Sequence, residues 1–219
     1  MSATLVIESS TPTASIARID ASGIAHRQFQ SDRSHNSLLF APLAELLDPA
    51  TRSSLDAVLV GSGPGSYSGT RVGIAAAQGV GLVLSCPVIA VPSILAVPSA
   101  ADGATCLAIG DARRGSFWTS LMRDSRFVHE PRLCDEAALA SEVAAAHAQG
   151  IPVIAFEDAE HFPAAVRDLV RKEAPDATRL WQVWQNWDKA LRNQARQAIA
   201  QPIYLKPPHI TMAKRQPLL

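Results

Sequence analysis

Long apolar runs, metal-ligand spacings and an excess of either charge are all missing from this 219-residue chain, and each absence removes a class of function. The richest apolar stretch, Val72 to Ala100, is broken by Gly, Ser and Pro well short of the roughly 18 residues a membrane helix needs, so a soluble protein is expected. Lys plus Arg equals Asp plus Glu at 20 each, which leaves no basic field for a polyanion. Tight tRNA binding by the chain alone is therefore not expected. The three cysteines, Cys86, Cys106 and Cys134, are odd in number and lack CxxC spacing, so they read as reduced, core-packed thiols of a cytoplasmic protein. His26, His35, His129, His147, His161 and His209 stand alone, with neither HxxxH nor HExxH, so no metal site is expected. Aromatics are scarce. Trp181, Trp184 and Trp187, three apart, read as packing anchors along one helix face rather than as a platform for bases. The N-terminal MSATLVIESSTP has no basic n-region and reads as a first strand rather than a signal peptide or lipid anchor.

What the chain does have is glycine in one place. The stretch Gly61 to Gly73, GSGPGSYSGTRVG, leads from an apolar strand at 56–60 into a long small-residue helix. Glycines at 61, 63, 65 and 69 allow either an anion to be held at a helix start or simply a sharp turn with close packing. The specific phosphate motifs fail on spacing. A Walker loop needs lysine after the last glycine, where Thr70 and Arg71 stand, and GxGxxG would need glycine at Ser68. A GxSxG nucleophile elbow would need serine at Tyr67.

Strands are expected at Thr4–Ile7, Ala14–Asp20 and Ile24–Gln30, the last two a hairpin on the DASG turn. From Ser34 a helix places Leu38, Leu39, Leu43, Leu46 and Leu47 on one side and ends at Asp48 and Pro49, with Pro42 kinking it or marking a break in its first turns. The strand at 56–60, a helix from 69 to 85 and the strand Val88–Val91 form a parallel strand–helix–strand unit. Pro98 to Gly103 is small and polar and marks the expected boundary between a domain of residues 1–100 and one of 101–219. Beyond it come strands at 106–109, 117–122, 127–128 and 153–156 and helices at 135–148, 162–173 and 184–200.

The loop and helix GSGPGSYSGTRVGIAAAQGVGL, followed in the second half by DARRGSFWTSL and preceded by VIESSTPTASIARI and RSHNSLLFAPLAELL, resemble the TsaB (YeaZ) family. That family is the dimerisation subunit of the bacterial machinery that makes threonylcarbamoyl-adenosine in tRNA. The QPIYLK segment at 201–206 is similar to the family's PxYLR ending, and the tail beyond is expected to be mobile. The resemblance implies an α/β, two-domain fold of the actin, sugar-kinase and Hsp70 (ribonuclease H-like) type, in reduced form. It implies a noncatalytic subunit that binds and activates a TsaD-type transferase acting on N6 of adenosine 37 in tRNAs reading ANN codons. Its implied partners are that transferase, a TsaE-type ATPase in the assembled complex, a second copy of itself when alone, and tRNA only through the complex.

Gly73, Ala77 and Gly81 recur every four residues and form a strip that either packs on the chain's own sheet or admits a partner helix. By the resemblance the partner interface comprises Leu38, Leu39, Leu43, Leu46, Gly69, Arg71, Gly73, Ala76, Ala77, Val80 and Gly81. Glu8, Ser9 and Ser10, with Gly63, Gly65 and Ser66, stand where related ATPases hold phosphate and magnesium, and are expected to be a vestige of that site. Asp111, Arg113 and Arg114 are expected to form a turn with a surface ion pair. No catalytic residue and no cofactor are implied, with a nucleotide at the subunit junction left open. The alternative is an independent enzyme of the same fold, a nucleotide-dependent kinase or ATPase or a glycopeptidase-like protein.

Overall fold

The computed structural model describes residues 2–30 and 36–205. Ser34, His35, His209 and the tail beyond Leu205 lie outside them. Every residue of β1 (Ala3–Glu8) is buried, as befits a strand flanked on both sides. It pairs antiparallel with β2 (Thr13–Asp20), which turns through Asp20 and Gly23 into β3 (Gly23–Gln30). Asp20 Oδ1 accepts from Ser22 N at 2.7 Å, which fixes the turn.

A 3₁₀ turn at Asn36–Leu39 runs into α1 (Phe40–Leu46). Pro42 falls in the first turn of α1, where backbone N–H groups have no intrahelical acceptor, so the proline breaks nothing. Asp48 ends the segment and also begins a short helix the sequence reading missed: its Oδ1 accepts from Thr51 N at 2.7 Å and caps α2 (Pro49–Ser54). Then follow β4 (Leu55–Gly61), α3 (Tyr67–Leu84), capped by Ser66, and β5 (Val88–Val91). The first sheet runs β3-β2-β1-β4-β5, with β1, β4 and β5 parallel.

Beyond a 3₁₀ segment at Pro98–Gly103 the same plan is repeated. An antiparallel meander of β6 (Cys106–Asp111), β7 (Phe117–Arg123) and β8 (Arg126–Cys134) leads through α4 (Glu136–Ala148) to β9 (Val153–Ala155), parallel to β6. The expected helix at 162–173 is instead one turn, α5 (Ala164–Arg167), followed by β10 (Val170–Lys172), which pairs parallel with β9. Val166, Leu169 and Val170 suit either period, and pairing with the otherwise bare edge of β9 decides for a strand. The second sheet, β10-β9-β6-β7-β8, thus has the strand pattern of the first. Two mixed five-stranded sheets of this order flanked by helices are the actin-like, ribonuclease H-like fold.

The expected last helix at 184–200 is two helices, α6 (Ala177–Asn186) and α7 (Lys189–Gln197), broken where Trp187 turns extended and Asp188 caps the second through Leu191 N at 2.8 Å. Both return to the first sheet. Ala177 N donates to Ser15 Oγ at 2.9 Å, and His26 Nε2 lies 2.9 Å from Asp176 Oδ2. Alternation along β1 sorts the core: Leu5 and Ile7 face α1 and α3, while Val6 faces a second cluster with Leu59, Ile94 and Leu180. That second cluster also takes in Ala108, Met122 and Ile154 of the second sheet. Trp118, Trp184 and Trp187 are buried in it, with Trp181 packed against it, so the tryptophans are packing anchors. A third cluster around Ile109, Leu139 and Phe162 lies beneath α4 and α5.

Candidate functional site

The glycine loop and the end of β1 are built around each other. A Cβ added at Gly61 would stand 1.9 Å from Glu8 Oε2, and one at Gly65 would stand 2.4 Å from the Ser10 carbonyl. At Gly69 the same atom would meet the Ser9 carbonyl at 2.2 Å. Gly61 therefore admits the Glu8 carboxylate, and Gly65 and Gly69 admit the chain's own backbone. Ser9 Oγ donates to the Gly69 carbonyl at 2.9 Å, Ser66 N donates to the Ser10 carbonyl at 2.6 Å, and Gly63 N donates to Ser93 Oγ at 2.9 Å.

The residues expected as a vestigial phosphate site, Glu8, Ser9, Ser10, Gly63, Gly65 and Ser66, are brought together; Ser9 Oγ, Ser10 N, Gly63 N and Ser66 N bond acceptors within the chain, while Ser10 Oγ is buried without a partner among the described residues. Gly69 N is held by Ser66 Oγ and Thr70 N by the Ser66 carbonyl, which leaves those groups with internal acceptors at the helix start. Glu8 is fully buried; Oε1 accepts from Ser10 N at 2.7 Å while Oε2 has no partner. Burial pushes its pKa up, and hydrogen bonds from Ser10 and Ser93 work in the opposite direction.

A cleft of about 500 Å³ opens between this loop and the second sheet. Its walls come from the carboxyl ends of strands: Ser62 and Gly65 after β4, Asp111 at the end of β6, and Phe156 and Glu157 after β9. Carboxyl ends of strands are where open α/β sheets place ligands. Thr70 of α3 lines one side, Trp118 of β7 another, and the strap 202–205 closes a third. Glu157 Oε2 and Thr70 Oγ1 are buried and have no hydrogen-bond partner. Burial, reinforced by nearby Asp111, raises the Glu157 pKa, while His161 and Arg113 act against it. Arg71 lies over the Tyr67 ring at 4.6 Å and bonds its hydroxyl, and Tyr67 packs on Tyr204 with centroids 6.4 Å apart. At the β6–β7 turn, Arg113 Nη1 pairs with Asp111 Oδ2 at 3.1 Å, and Arg113, Arg114 and Gly115 all have positive φ.

The small strip of α3 turns inward. A Cβ at Gly73 would be 2.2 Å from Ser9 Oγ, Ala77 is fully buried, and a Cβ at Gly81 would be 2.4 Å from Val88 Cγ2. Leu39, Leu43 and Leu46 of the preceding segment are buried in the same cluster. These six residues, expected at a partner interface, pack inside the chain against its own sheet or helix. What faces outward is the opposite side of α3: Arg71, Ala75, Gly79, Leu82 at 84% exposure and Val83 at 78%. Gly69, Ala76 and Val80 are half-buried at its edges, and Leu38 and Phe40 are exposed on the neighbouring segment. Among the described residues, nothing comes within 4 Å of a Cβ at Gly79.

The model of a family described as TsaD, tRNA N6-adenosine threonylcarbamoyltransferase, matches residues 24–165. The chain belongs to that family. An uncharacterised protein of Mycobacterium tuberculosis is 35% identical over 123 residues, 54% of this chain and 58% of the relative. The Escherichia coli K12 tRNA threonylcarbamoyladenosine biosynthesis protein TsaB is 33% identical over 128 residues, 55% of each chain. The chain thus spans a little over half the length of the curated relatives it matches. A Pseudomonas aeruginosa protein with similarity to peptidase YeaZ shares the fold, with TM-score 0.70 and 24% identity over 94% of this chain and 100% of that one.

The family match stops short of α6, which carries Trp181 and Trp184, and of α7. Sequence reading missed Glu157, Phe156 and Tyr204 as cleft residues. The available signal was the apolar run Val153–Phe156, read as a strand; the structure makes it parallel to β6, and the carboxyl end of such a strand should carry a site. Among the described residues, no three His, Cys, Asp or Glu side chains gather as a metal site, and no helix is long and apolar enough to cross a membrane.

Proposed function

We propose that this chain is a noncatalytic cytoplasmic subunit of the threonylcarbamoyl-adenosine machinery, which binds a TsaD-type transferase and holds it in an active arrangement for adenosine 37 of tRNA. One observation carries the reading: the outer face of α3 presents Leu82 and Val83 beside a glycine with open space in front of it, and among the described residues nothing covers them. Burying two such side chains yields about 1.5–3 kcal/mol each, and Gly79 lets a partner backbone come close. The same face serves for self-association when the transferase is absent, and a TsaE-type ATPase and tRNA join through the complex. The two halves, 1–100 and 101–219, form the proposed organisation, the outer face of α3 belonging to the first.

Capture of a purified TsaD-type transferase tests this. The wild-type chain is expected to capture it and to restore modified nucleoside in tRNA of cells depleted of the native subunit. A Leu82→Glu, Val83→Glu double variant, altered only at exposed positions, should stay folded and do neither. A folded double variant that still captures the transferase would refute the interface. Restoration of the modification without capture would refute assembly as the contribution. Turnover of ATP or peptide by the purified chain alone would favour the independent enzyme.

A further inference from the structure

We propose that the cleft between the glycine loop and the second sheet is a binding site for a small planar aromatic ligand bearing N–H donors, an aromatic amine or amidine. This goes beyond the assembly role and does not depend on it. Trp118 and Phe156 offer the cleft aromatic surface from the second sheet, and Ile203, Tyr204 and Leu205 continue it along the strap. Such walls suit a flat ring. The polar groups set the other end of the ligand. Glu157 Oε2 is buried in the cleft wall with no partner, and Thr70 Oγ1, on a residue only 3% exposed, faces the same space unpartnered. Buried polar atoms are nearly always satisfied, so two in one cleft indicate a missing polar partner; the Glu157 carboxylate requires a donor, and the Thr70 hydroxyl can accept from one.

The sign of the ligand follows from what is present and what is already taken. Asp111 in the same wall is already paired with Arg113, so an anion would meet the Glu157 carboxylate, whose Oε2 has no partner among the described residues. The helix-start N–H groups of Gly69 and Thr70, which could have offset that, are bonded to Ser66. An ammonium or amidinium instead gives Glu157 the charge-assisted bond it lacks. Among the described residues, Arg71 is the one cation in the wall, and it is drawn onto Tyr67.

Benzamidine is the probe, titrated into the full chain and followed by calorimetry and by tryptophan fluorescence, since Trp118 lines the cleft. Saturable binding in the millimolar range is expected for a fragment of about nine heavy atoms. Glu157→Gln should weaken it by about ten- to a hundredfold and Thr70→Val by about three- to tenfold. Benzoate, of the same shape and opposite charge, should bind at least tenfold more weakly than benzamidine. Tyr204→Ala, at an exposed wall position, should also weaken the amidine and provides a reading should Glu157→Gln fail to fold. Absence of saturable benzamidine binding, equal or tighter binding of benzoate through Arg71, or undiminished binding by folded Glu157→Gln and Tyr204→Ala would each overturn the proposal.

Discussion

Replacing Gly73 and Gly79 by alanine, one at a time, separates the two faces of α3. Both are helical glycines six residues apart, and alanine in a helix is favoured over glycine by about 0.5–1 kcal/mol. At Gly79 nothing opposes that gain, because the new Cβ meets no atom within 4 Å. The variant should therefore melt about 1–4 °C higher, given about 2–4 °C per kcal/mol for a chain of this size. At Gly73 the new Cβ stands 2.2 Å from Ser9 Oγ, so either Ser9 turns away and gives up its bond to the Gly69 carbonyl or α3 lifts off β1. Overpacking of about 1–3 kcal/mol plus a lost hydrogen bond of about 1 kcal/mol outweighs the helical gain, for a net loss of about 1–3 kcal/mol. Thermal unfolding at a dilution where sedimentation shows monomer reads both. A Gly79→Ala protein that melts lower would mean that face is already packed. A Gly73→Ala protein as stable as wild type would mean the inner strip is looser than its contacts indicate.

Two further outcomes follow from buried groups. Glu8 binds its proton more tightly in the folded chain, chiefly through burial, so its contribution to stability is complete below the ordinary carboxylate range and is lost as pH rises through the raised folded value. Glu8→Gln, which keeps an oxygen for Ser10 N, should flatten that decline and exceed wild type by about 1–3 kcal/mol at pH 8, measured by urea unfolding; an unchanged pH profile would place the charge elsewhere. Cys106 is fully buried with its thiol pushed up to about 12, whereas Cys86 and Cys134 are partly exposed. A thiol reagent at pH 8 should modify two cysteines in the native chain and the third only on unfolding; three modified in the native state would contradict the packing of β6.

The first sheet was legible because its signals are local. Apolar strands bounded by turn residues set β1 to β5 within a residue or two, and the glycine run marked the crossover into α3. The second half was less legible wherever two local periods agreed. Val166, Leu169 and Val170 read as a helix until β9 is seen with a bare edge, and the break between α6 and α7 depends on Asp188, an N-cap buried in a pattern that otherwise continues. Caps at Asp48 and Asp188 were readable from spacing alone, and overlooking them merged or lost helices.

The candidate site shows why a glycine motif is ambiguous by itself. Phosphate binding and tight packing make the same demand, that something come closer than a Cβ allows, and only the identity of the arriving group separates them. Here it is the main chain of Ser9 and Ser10, with 60 residues of sequence between Ser9 and the Gly69 carbonyl it bonds, so no local pattern could name it. The same criterion sorts the helix that follows. Gly69, Gly73 and Gly81 each have a neighbour in the chain that requires them, while Gly79 has none. A glycine in mid-helix costs stability without a compensating contact inside the chain. That is why the proposed partner contact is placed on the outer face of α3 rather than on the inner strip suggested by four-residue spacing.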